Sequence, residues 1–302
     1  MLTNQTHNDS LIFSVIIPTY NRAGMILKTV QSILNQTYHG FEIIVVDDGS
    51  TDDTEQVLKE IQHPAFRYIK TVNQERGAAR NVGIVQSKGD YIVFLDSDDE
   101  WYVHCLETAM DFIREQTQLP GLFHVAHEVR DEQHKLIETT IHLENINEVL
   151  IQGNPLACMN MFVKADVAKA NLFNENRQMA GLEDWELWLR LAAKYPILQA
   201  KRVSGLMHEH KGRSSNNQGD QHTLVKRVEL FMQTVLSNTT IQKYYSGKLH
   251  QFRSSCFTFI SLHLAISGNK KSAIRFLLMG VKEQPAFIFK RRFGAILKNL
   301  LL

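Results

Sequence analysis

Short apolar runs alternate with helical patterns along about the first hundred residues, and this alternation constrains the fold most. Residues 12–17, 42–47 and 91–95 are apolar almost throughout, and residues 66–71 read as a further strand. Runs of this kind are typical of strands buried on both faces of a parallel sheet. The segments between them carry apolar residues at helical spacing. The order predicts an α/β fold with a doubly wound parallel sheet and right-handed crossovers.

The pattern changes after Trp101, where strands and helices no longer alternate strictly. Beyond residue 222 the chain shows helical spacing alone, and the polar stretch 211–221 is the best boundary. We therefore expect two domains, residues 1–221 and a helical C-terminal region, residues 222–302. Between Trp101 and this boundary the pattern predicts a helix at 104–116, an antiparallel pair at 121–130 and 135–142, a helix at 182–194 and a strand at 197–207.

Charge and cysteine content exclude several classes of protein. The formal net charge is +1, so no global field points to nucleic acid as a partner. Cys105, Cys158 and Cys256 lie far apart, which argues against a disulfide framework and a structural zinc site. The first ten residues are polar and the apolar runs are far shorter than the roughly 20 residues that span a bilayer. We expect a cytoplasmic protein.

Polar and acidic residues follow the ends of three predicted strands. They are Pro18–Arg22, Asp47–Ser50 and Asp96–Asp99. Ligands of open parallel sheets bind at the carboxyl ends of strands, so the acids should share one crevice. Asp96 and Asp98 alone could be ordinary strand-end or helix-cap residues. With a second acidic pair at a neighbouring strand end, a site for a hard divalent cation is the favoured interpretation.

Three other nucleotide or phosphate chemistries lack their motifs. A dinucleotide-binding fold needs G-x-G-x-x-G after the first strand, where this chain has Pro18–Arg22. No G-x-x-x-x-G-K-[ST] segment is present, which argues against a P-loop NTPase. Phosphatases with an aspartate nucleophile carry a D-x-D-x-[TV] motif, and in this chain Glu100 stands where that motif has threonine or valine.

The chain contains five ordered motifs, namely Ser14–Arg22, Val45–Asp53, Gly77–Asn81, Phe94–Asp99 and Glu183–Trp185. Together they resemble the family 2 glycosyltransferases of GT-A fold, over about residues 12 to 215. The resemblance implies a mostly parallel, doubly wound sheet flanked by helices, with a small antiparallel element and a helical C-terminal extension. Residues 1–221 would then be the catalytic domain.

The resemblance also implies a role for each matching residue. Asp184 corresponds to the catalytic base, and Asp98 to the metal-binding acid of the D-x-D motif. Glu183 and Trp185 would lie near the acceptor or the donor sugar, although core packing is an equal reading of Trp185. Pro18, Tyr20, Arg22, Asp47, Asp48, Arg80, Asp96 and Ser97 would surround the nucleotide-sugar, with Asp48 on the uracil edge, Arg80 near the diphosphate and Asp96 on the ribose or the metal.

A histidine near residue 210 could complete the metal shell. By spacing, His210 is the better candidate and His208 the alternative. The other interpretation of either residue is an ordinary solvated histidine in a loop. The resemblance therefore predicts an inverting transferase that uses Mn²⁺ or Mg²⁺, with a UDP-sugar as preferred donor. The rival hypotheses are a sugar-phosphate nucleotidyltransferase and a non-catalytic binding module of the same fold.

The last segment, residues 285–302, mixes four basic residues with several phenylalanines and leucines. Such a helix can lie on an anionic membrane surface, or it can pack against the protein with its charges in water. Peripheral contact with the membrane is the favoured interpretation. It would suit a glycan or lipid-linked glycan as acceptor.

Overall fold

The computed structural model describes residues 11–140, 144–213 and 220–301. Among these residues, nine strands form one mixed sheet. The strands are β1 (Phe13–Thr19), β2 (Phe41–Asp47), β3 (Phe66–Lys70), β4 (Tyr91–Phe94), β5 (Glu100–Trp101), β6 (Leu122–Arg130), β7 (Leu136–Thr139), β8 (Met161–Lys164) and β9 (Ile197–His208).

Twelve α-helices accompany the sheet in the described part of the chain. They are α1 (Ile26–Leu34), α2 (Thr54–Lys59), α3 (Arg76–Gln86), α4 (Cys105–Arg114), α5 (Ile146–Val149), α6 (Ala165–Lys169), α7 (Glu183–Ala192), α8 (Gln221–Ser237), α9 (Thr239–Tyr244), α10 (Leu249–Ile266), α11 (Lys270–Glu283) and α12 (Arg291–Leu301). Short 3-10 turns occur at Leu150–Gln152, Arg177–Met179 and Pro285–Phe289.

The first half of the sheet is parallel, as predicted. Strands β1 to β4 are ordered β3-β2-β1-β4, and each neighbouring pair is parallel. Helices α1, α2 and α3 connect consecutive strands. Residues Ile43 to Val46 of β2 are completely buried, which explains their apolar character on both faces. The α/β fold is therefore confirmed.

The second half of the sheet is largely antiparallel. Strand β8 lies between β4 and β6 and is antiparallel to both, while β9 runs parallel to β6. The predicted antiparallel pair is found as β6 and β7, although residues 141 and 142 of that prediction lie outside the described residues. The sequence pattern does not predict β8, because its apolar run of three residues is too short to distinguish from a loop.

The chain divides into two compact units, and each has its own core. The first unit comprises residues 1–146, 156–177 and 195–211. Its core contains the stacked rings of Phe123 and Phe162, whose centroids are 5.0 Å apart.

The second unit comprises residues 147–155, 178–194 and 212–302, so it includes α7 together with the helices after residue 221. Its core is built around Trp185, whose ring lies 4.9 Å from that of Phe231 and 5.8 Å from that of Phe252. The predicted division at residue 221 stays a prediction.

The helices of the second unit include long ones, but none in the described ranges combines the length and the apolar content needed to cross a bilayer. The C-terminal segment folds back on its own unit. Phe287 and Ile296 share a small buried cluster with Leu277 of α11. Part of the tail therefore packs against the protein, which is one of the two interpretations of this segment, and the rest is exposed.

Candidate active site

The loops that follow β1 and β2 are joined by hydrogen bonds. The backbone N–H of Asn21 donates to Ser50 Oγ (2.9 Å), and Asn21 Oδ1 accepts from the N–H of Thr51 (2.8 Å). Asn21 has a φ of 51°, in the left-handed region that asparagine tolerates better than most residues. Pro18 lies within buried β1, whereas the Tyr20 side chain, one residue before this junction, is exposed.

Asp47 is a fully buried residue that holds the turn after β2. Its Oδ1 accepts from the N–H of Ser50 (2.7 Å), and its Oδ2 accepts from the Tyr68 hydroxyl (2.6 Å). Burial and the bond to Asp47 raise the pKa of Tyr68, so this phenol keeps its proton and donates at neutral pH. Both carboxylate oxygens of Asp47 therefore stabilise the loop that presents the next residue.

Asp48 is held by two backbone donors of the β3–α3 loop. Its Oδ1 accepts from the N–H of Gln74 and its Oδ2 from the N–H of Glu75, both at 2.8 Å. Burial raises the pKa of Asp48, and the two backbone bonds act in the opposite direction without cancelling the shift. A carboxylate has about four acceptor sites, so this arrangement fixes the orientation of the group while it can still accept from a ligand.

The first acid of the D-x-D motif pairs with the buried arginine of α3. Arg80 Nη2 lies 2.8 Å from Asp96 Oδ1, and the guanidinium lies 5.4 Å from the centre of the Phe173 ring. Arg80 is almost completely buried, whereas the side chain of Asp96 is one quarter exposed. Ser97, the residue between the two acids, is buried. The pair thus leaves part of the Asp96 side chain accessible beside a fixed positive charge.

The second acid of the motif lies between an arginine and a histidine. Asp98 Oδ2 is 3.6 Å from Arg22 Nη2 and 3.2 Å from His210 Nε2. His208 instead places its Nε2 at 2.8 Å from Glu100 Oε1. Of the two candidate histidines, His210 is therefore the one beside Asp98.

The neighbouring Asp99 has a structural role that fixes this arrangement. It is fully buried, and its Oδ1 accepts from the backbone N–H of His208 (3.0 Å). This bond ties the loop after β4 to the end of β9, two residues before His210. His210, one of the residues beside Asp98, therefore follows a strand end that is tied to the loop after β4.

The donor set around Asp98 fits a hard divalent cation. Within the described ranges, no three acidic, histidine or cysteine side chains form a ready metal cluster. Asp98 Oδ2 and His210 Nε2 are nevertheless 3.2 Å apart. Octahedral Mg²⁺, with bonds of about 2.1 Å, separates neighbouring ligand atoms by about 3 Å. Two protein ligands at this spacing would leave most coordination positions to phosphate oxygens and water.

Asp184 lies at the start of α7, in the second unit. Its Oδ1 accepts from the backbone N–H of Trp185 (2.7 Å), and its Oδ2 accepts from Asn154 Nδ2 (3.2 Å). Glu183 beside it is buried and accepts from the N–H of Gly181, which has a φ of 91°. The helix N-terminus and the amide of Asn154 therefore orient a partly exposed carboxylate.

Trp185 occupies a packing position, in addition to its contacts with Phe231 and Phe252 described above. Its Nε1 donates to the carbonyl of Leu150 (2.8 Å), and 8% of the residue is exposed. This burial favours the core reading over stacking on a sugar ring.

Sequence reasoning missed Glu75 and Arg177, which border Asp48. Arg177 Nε lies 3.1 Å from Glu75 Oε1, and its Nη1 donates to the carbonyl of Asn73 (3.4 Å). No motif marks either residue. Glu75 has a φ of 78°, a positive backbone angle that no sequence pattern indicates for a glutamate. The signal is the backbone angle, which is visible in the structure alone.

Known sequences are similar to about two thirds of this chain. The family described as "Glycosyl transferase family 2" matches residues 14–162. An uncharacterized glycosyltransferase of Haemophilus influenzae is 30% identical over 212 residues, which are 68% of this chain and 82% of that protein. One of Rickettsia felis is 34% identical over 214 residues, 68% of this chain and 35% of that protein. The matched region is therefore about a third of the longer Rickettsia relative.

Solved structures share the fold over nearly the whole chain. TarS residues 1–349 of S. aureus, solved with UDP-GlcNAc, has a TM-score of 0.69 and 19% identity, covering 95% of this chain and 88% of that one. The mannosyltransferase PcManGT of Pyrobaculum calidifontis, solved with GDP-Man and Mn²⁺, has a TM-score of 0.59 and 16% identity, covering 96% and 86%. These likenesses confirm the GT-A-type fold, including a helical C-terminal part.

Proposed function

The chain belongs to the family 2 glycosyltransferases, and we propose that it moves a sugar from a UDP-sugar to an acceptor hydroxyl with inversion at the anomeric carbon. One observation carries the proposal, namely the group of charged side chains after β2 and β4 with their partners. This group combines acids that can hold a cation and a nucleotide with fixed positive charges that suit a diphosphate. Its members are Asp48, Arg80, Asp96 and Asp98, with Arg22 and His210.

The donor nucleotide is proposed to bind along this group. Asp48 would accept from the N–H of the uracil edge, with the exposed Tyr20 and the loop after Pro18 bordering the nucleotide. Asp47 contributes by holding the turn. Arg80 would keep its charge near the diphosphate, while Asp96 and Ser97 would meet the ribose. The UDP-GlcNAc complex of TarS, a structure of the same fold, supports UDP as the nucleotide.

Asp98 and His210 would hold Mn²⁺ or Mg²⁺, with Asp96 as a further oxygen donor. When bound, this ion offsets the negative charge that grows on the departing diphosphate. The Mn²⁺ in the PcManGT complex supports this cofactor class. Arg22, 3.6 Å from Asp98, would add a fixed positive charge on the same side as the leaving group.

Asp184 is proposed to be the base that removes the proton from the acceptor hydroxyl. A hydroxyl is a poor nucleophile, and a positioned carboxylate makes it reactive as the glycosidic bond breaks. The bonds from Trp185 N–H and Asn154 hold the carboxylate in one orientation. Attack on the face opposite the diphosphate gives inversion in one displacement. Glu183, buried beside Asp184, would shape the acceptor or donor-sugar side of the site.

The acceptor is proposed to be a glycan or a lipid-linked glycan, met by a peripheral protein at the membrane surface. The basic and apolar C-terminal segment supports this setting. The proposed domain division assigns residues 1–221 to catalysis and residues 222–302 to a helical region that includes this segment.

A thermal-shift screen of nucleotide-sugars with Mn²⁺, Mg²⁺ or EDTA tests the function. We expect UDP-sugars to raise the Tm by about 5 °C with metal, because ligand at 100 times its Kd adds about 2.7 kcal/mol to the free energy of unfolding. EDTA should remove most of this shift. Larger shifts with GDP-sugars would overturn the donor assignment, and pyrophosphate release from UTP with a sugar phosphate would indicate a nucleotidyltransferase.

A further inference from the structure

Two helices at the C-terminal end expose apolar side chains along their outer faces. On α11 the exposed residues include Ile274 and Leu278, one turn apart. On α12 they include Leu297 and Leu301, with the same spacing. Phe289, in the turn between the helices, is 86% exposed and is a large apolar side chain that water disfavours. We call these five residues the outer apolar set.

Basic residues flank the outer apolar set, and acids are nearly absent. Residues 270–301 contain eight lysines and arginines and one acid, Glu283, although the whole chain has a net charge of only +1. Glu283 is already engaged, because its Oε2 lies 2.8 Å from Arg253 Nε. The basic residues among the exposed ones are Lys270, Lys271, Arg275, Lys282, Lys290, Arg291 and Lys298.

Arg292, on the inner side of α12, has neutral partners. Its Nη1 donates to the carbonyl and the hydroxyl of Ser255 and to the hydroxyl of Thr258. Because these partners carry no negative charge, they do not neutralise the positive charge of the guanidinium beneath the surface. Other sides of both helices are already used for packing, since Phe276, Leu277 and Ile296 are buried.

We propose that the outer apolar set and its basic neighbours form a docking surface for an anionic lipid bilayer. The apolar side chains would enter the boundary between headgroups and acyl chains, and the basic residues would meet the phosphates. Each basic residue near an anionic leaflet adds roughly fivefold in affinity. The excess of basic residues would also suit a protein partner with an acidic surface. Binding to vesicles that contain no protein separates the bilayer from such a partner. This surface extends the proposed function by bringing α11 into the membrane contact.

Co-sedimentation of the full chain with vesicles tests the surface. We expect binding to vesicles of phosphatidylcholine and phosphatidylglycerol in equal parts, weaker binding in 0.5 M salt, and at least tenfold weaker binding to phosphatidylcholine alone. Leu278→Ser combined with Phe289→Ser should reduce the affinity for anionic vesicles at least tenfold. Lys290→Glu with Arg291→Glu should do the same, because both the apolar and the charged contributions are needed.

A matched control removes an exposed apolar residue and an exposed base elsewhere. Val85→Ser with Lys201→Glu lies outside the proposed surface and should leave vesicle binding unchanged. Equal binding of the wild type to neutral and anionic vesicles, or unchanged binding of the surface variants, would overturn the proposal. UDP affinity measured on the same variants should not change, so failure of the surface is distinguishable from failure of the proposed transferase.

A second observation, independent of the first, concerns the backbone at Glu75. Its φ is 78° and its ψ is 162°, a region that is essentially restricted to glycine. The other non-glycine residues with positive φ in the described ranges are asparagines and one histidine. Strain of this kind persists where the surroundings over-determine it, and it clusters at ligand sites.

The surroundings of Glu75 act on both ends of the residue. Its backbone N–H donates to Asp48 Oδ2 (2.8 Å), and its carboxylate pairs with Arg177 Nε (3.1 Å). Arg177 also bonds to the side chain and the carbonyl of Asn73, at the other side of the same loop. The three residues form a clamp that fixes the peptide N–H groups on Asp48. We call it the Glu75–Arg177 clamp.

We infer that Glu75 and Arg177 are positioning residues for recognition of the nucleotide base. The clamp turns the Asp48 carboxylate so that its remaining lone pairs can accept from a ring N–H such as that of uracil. Glycine at position 75 would relieve the strain but would free the loop. This inference rests on the proposed function, because it assigns the base contact to Asp48.

Glu75→Gly is expected to move stability and donor binding in opposite directions. The Tm should rise by about 2 °C, since glycine adopts a positive φ without strain. The affinity for UDP should fall about tenfold, and the donor KM should rise with little change in kcat. Glu75→Gln keeps the side chain but loses the charge, so both the Tm and the affinity should fall.

Glu60→Gln, an exposed glutamate after α2, is the control and should change neither quantity. Unchanged or tighter UDP binding by Glu75→Gly would overturn the clamp. Absence of UDP binding by the wild type would instead overturn the proposed function.

Discussion

Asp184→Asn is expected to reduce the transfer rate by about a thousandfold, because loss of a general base costs 10²- to 10⁴-fold. Asparagine keeps an oxygen that can accept from the N–H of Trp185, so α7 should begin as in the wild type. The Tm should therefore change little. The affinity for UDP with Mn²⁺ should stay within about threefold, since Asp184 has no proposed role in donor binding. Single-turnover kinetics and calorimetry would measure the two quantities separately.

Asp111→Asn, at an exposed position of α4, is a matched control and should retain full activity. Transfer by Asp184→Asn at more than a tenth of the wild-type rate would contradict the assignment of the base. A parallel loss of UDP affinity would indicate that Asp184 acts on the donor and not on the acceptor.

Asp98→Asn is expected to remove metal-dependent donor binding. The amide keeps the shape of the side chain but loses the negative charge that lies between Arg22 and His210. A hard cation prefers a carboxylate oxygen, so the affinity for UDP with Mn²⁺ should fall at least a hundredfold. The kcat/KM should fall at least as far. Calorimetry of UDP binding with Mn²⁺ and with EDTA would measure the effect.

For Asp98→Asn, the dependence on metal is the decisive readout. Wild-type UDP affinity should drop on adding EDTA, whereas the variant should bind UDP weakly with or without it. If the variant retains a large Mn²⁺ effect on UDP binding, the ion is held elsewhere. The contrast with Asp184→Asn, which should bind donor normally, separates the donor half of the mechanism from the acceptor half.

The parallel half of the sheet was predictable, because each of its central strands is apolar along most of its length. Ile43 to Val46 are buried on both faces, and that environment leaves a direct mark on the sequence. Strand β8 leaves no such mark, since Asn160 interrupts the apolar stretch before it and the remaining run of three residues also suits a loop. Its place between β4 and β6 depends on pairing partners that are distant in sequence.

The candidate site was predictable as a set of residues, but not as a set of contacts. Spacing alone left His208 and His210 as alternatives, and the contacts of the two rings with Glu100 and Asp98 distinguish them. The packing of Trp185 follows from helices after residue 221, outside the matched motifs. The strain at Glu75 depends on tertiary bonds that no local pattern encodes.

The position of β8 has a consequence for how the chain is made. The hydrogen-bonding edge of β4 that β8 covers stays open until residues 161–164 have left the ribosome, about seventy residues after β4 itself. An open edge is a template for pairing with another chain. A fragment cut at residue 162, where the family match ends, would keep that edge only partly covered and should aggregate, so expression of the parallel strands needs the sequence through the end of β8.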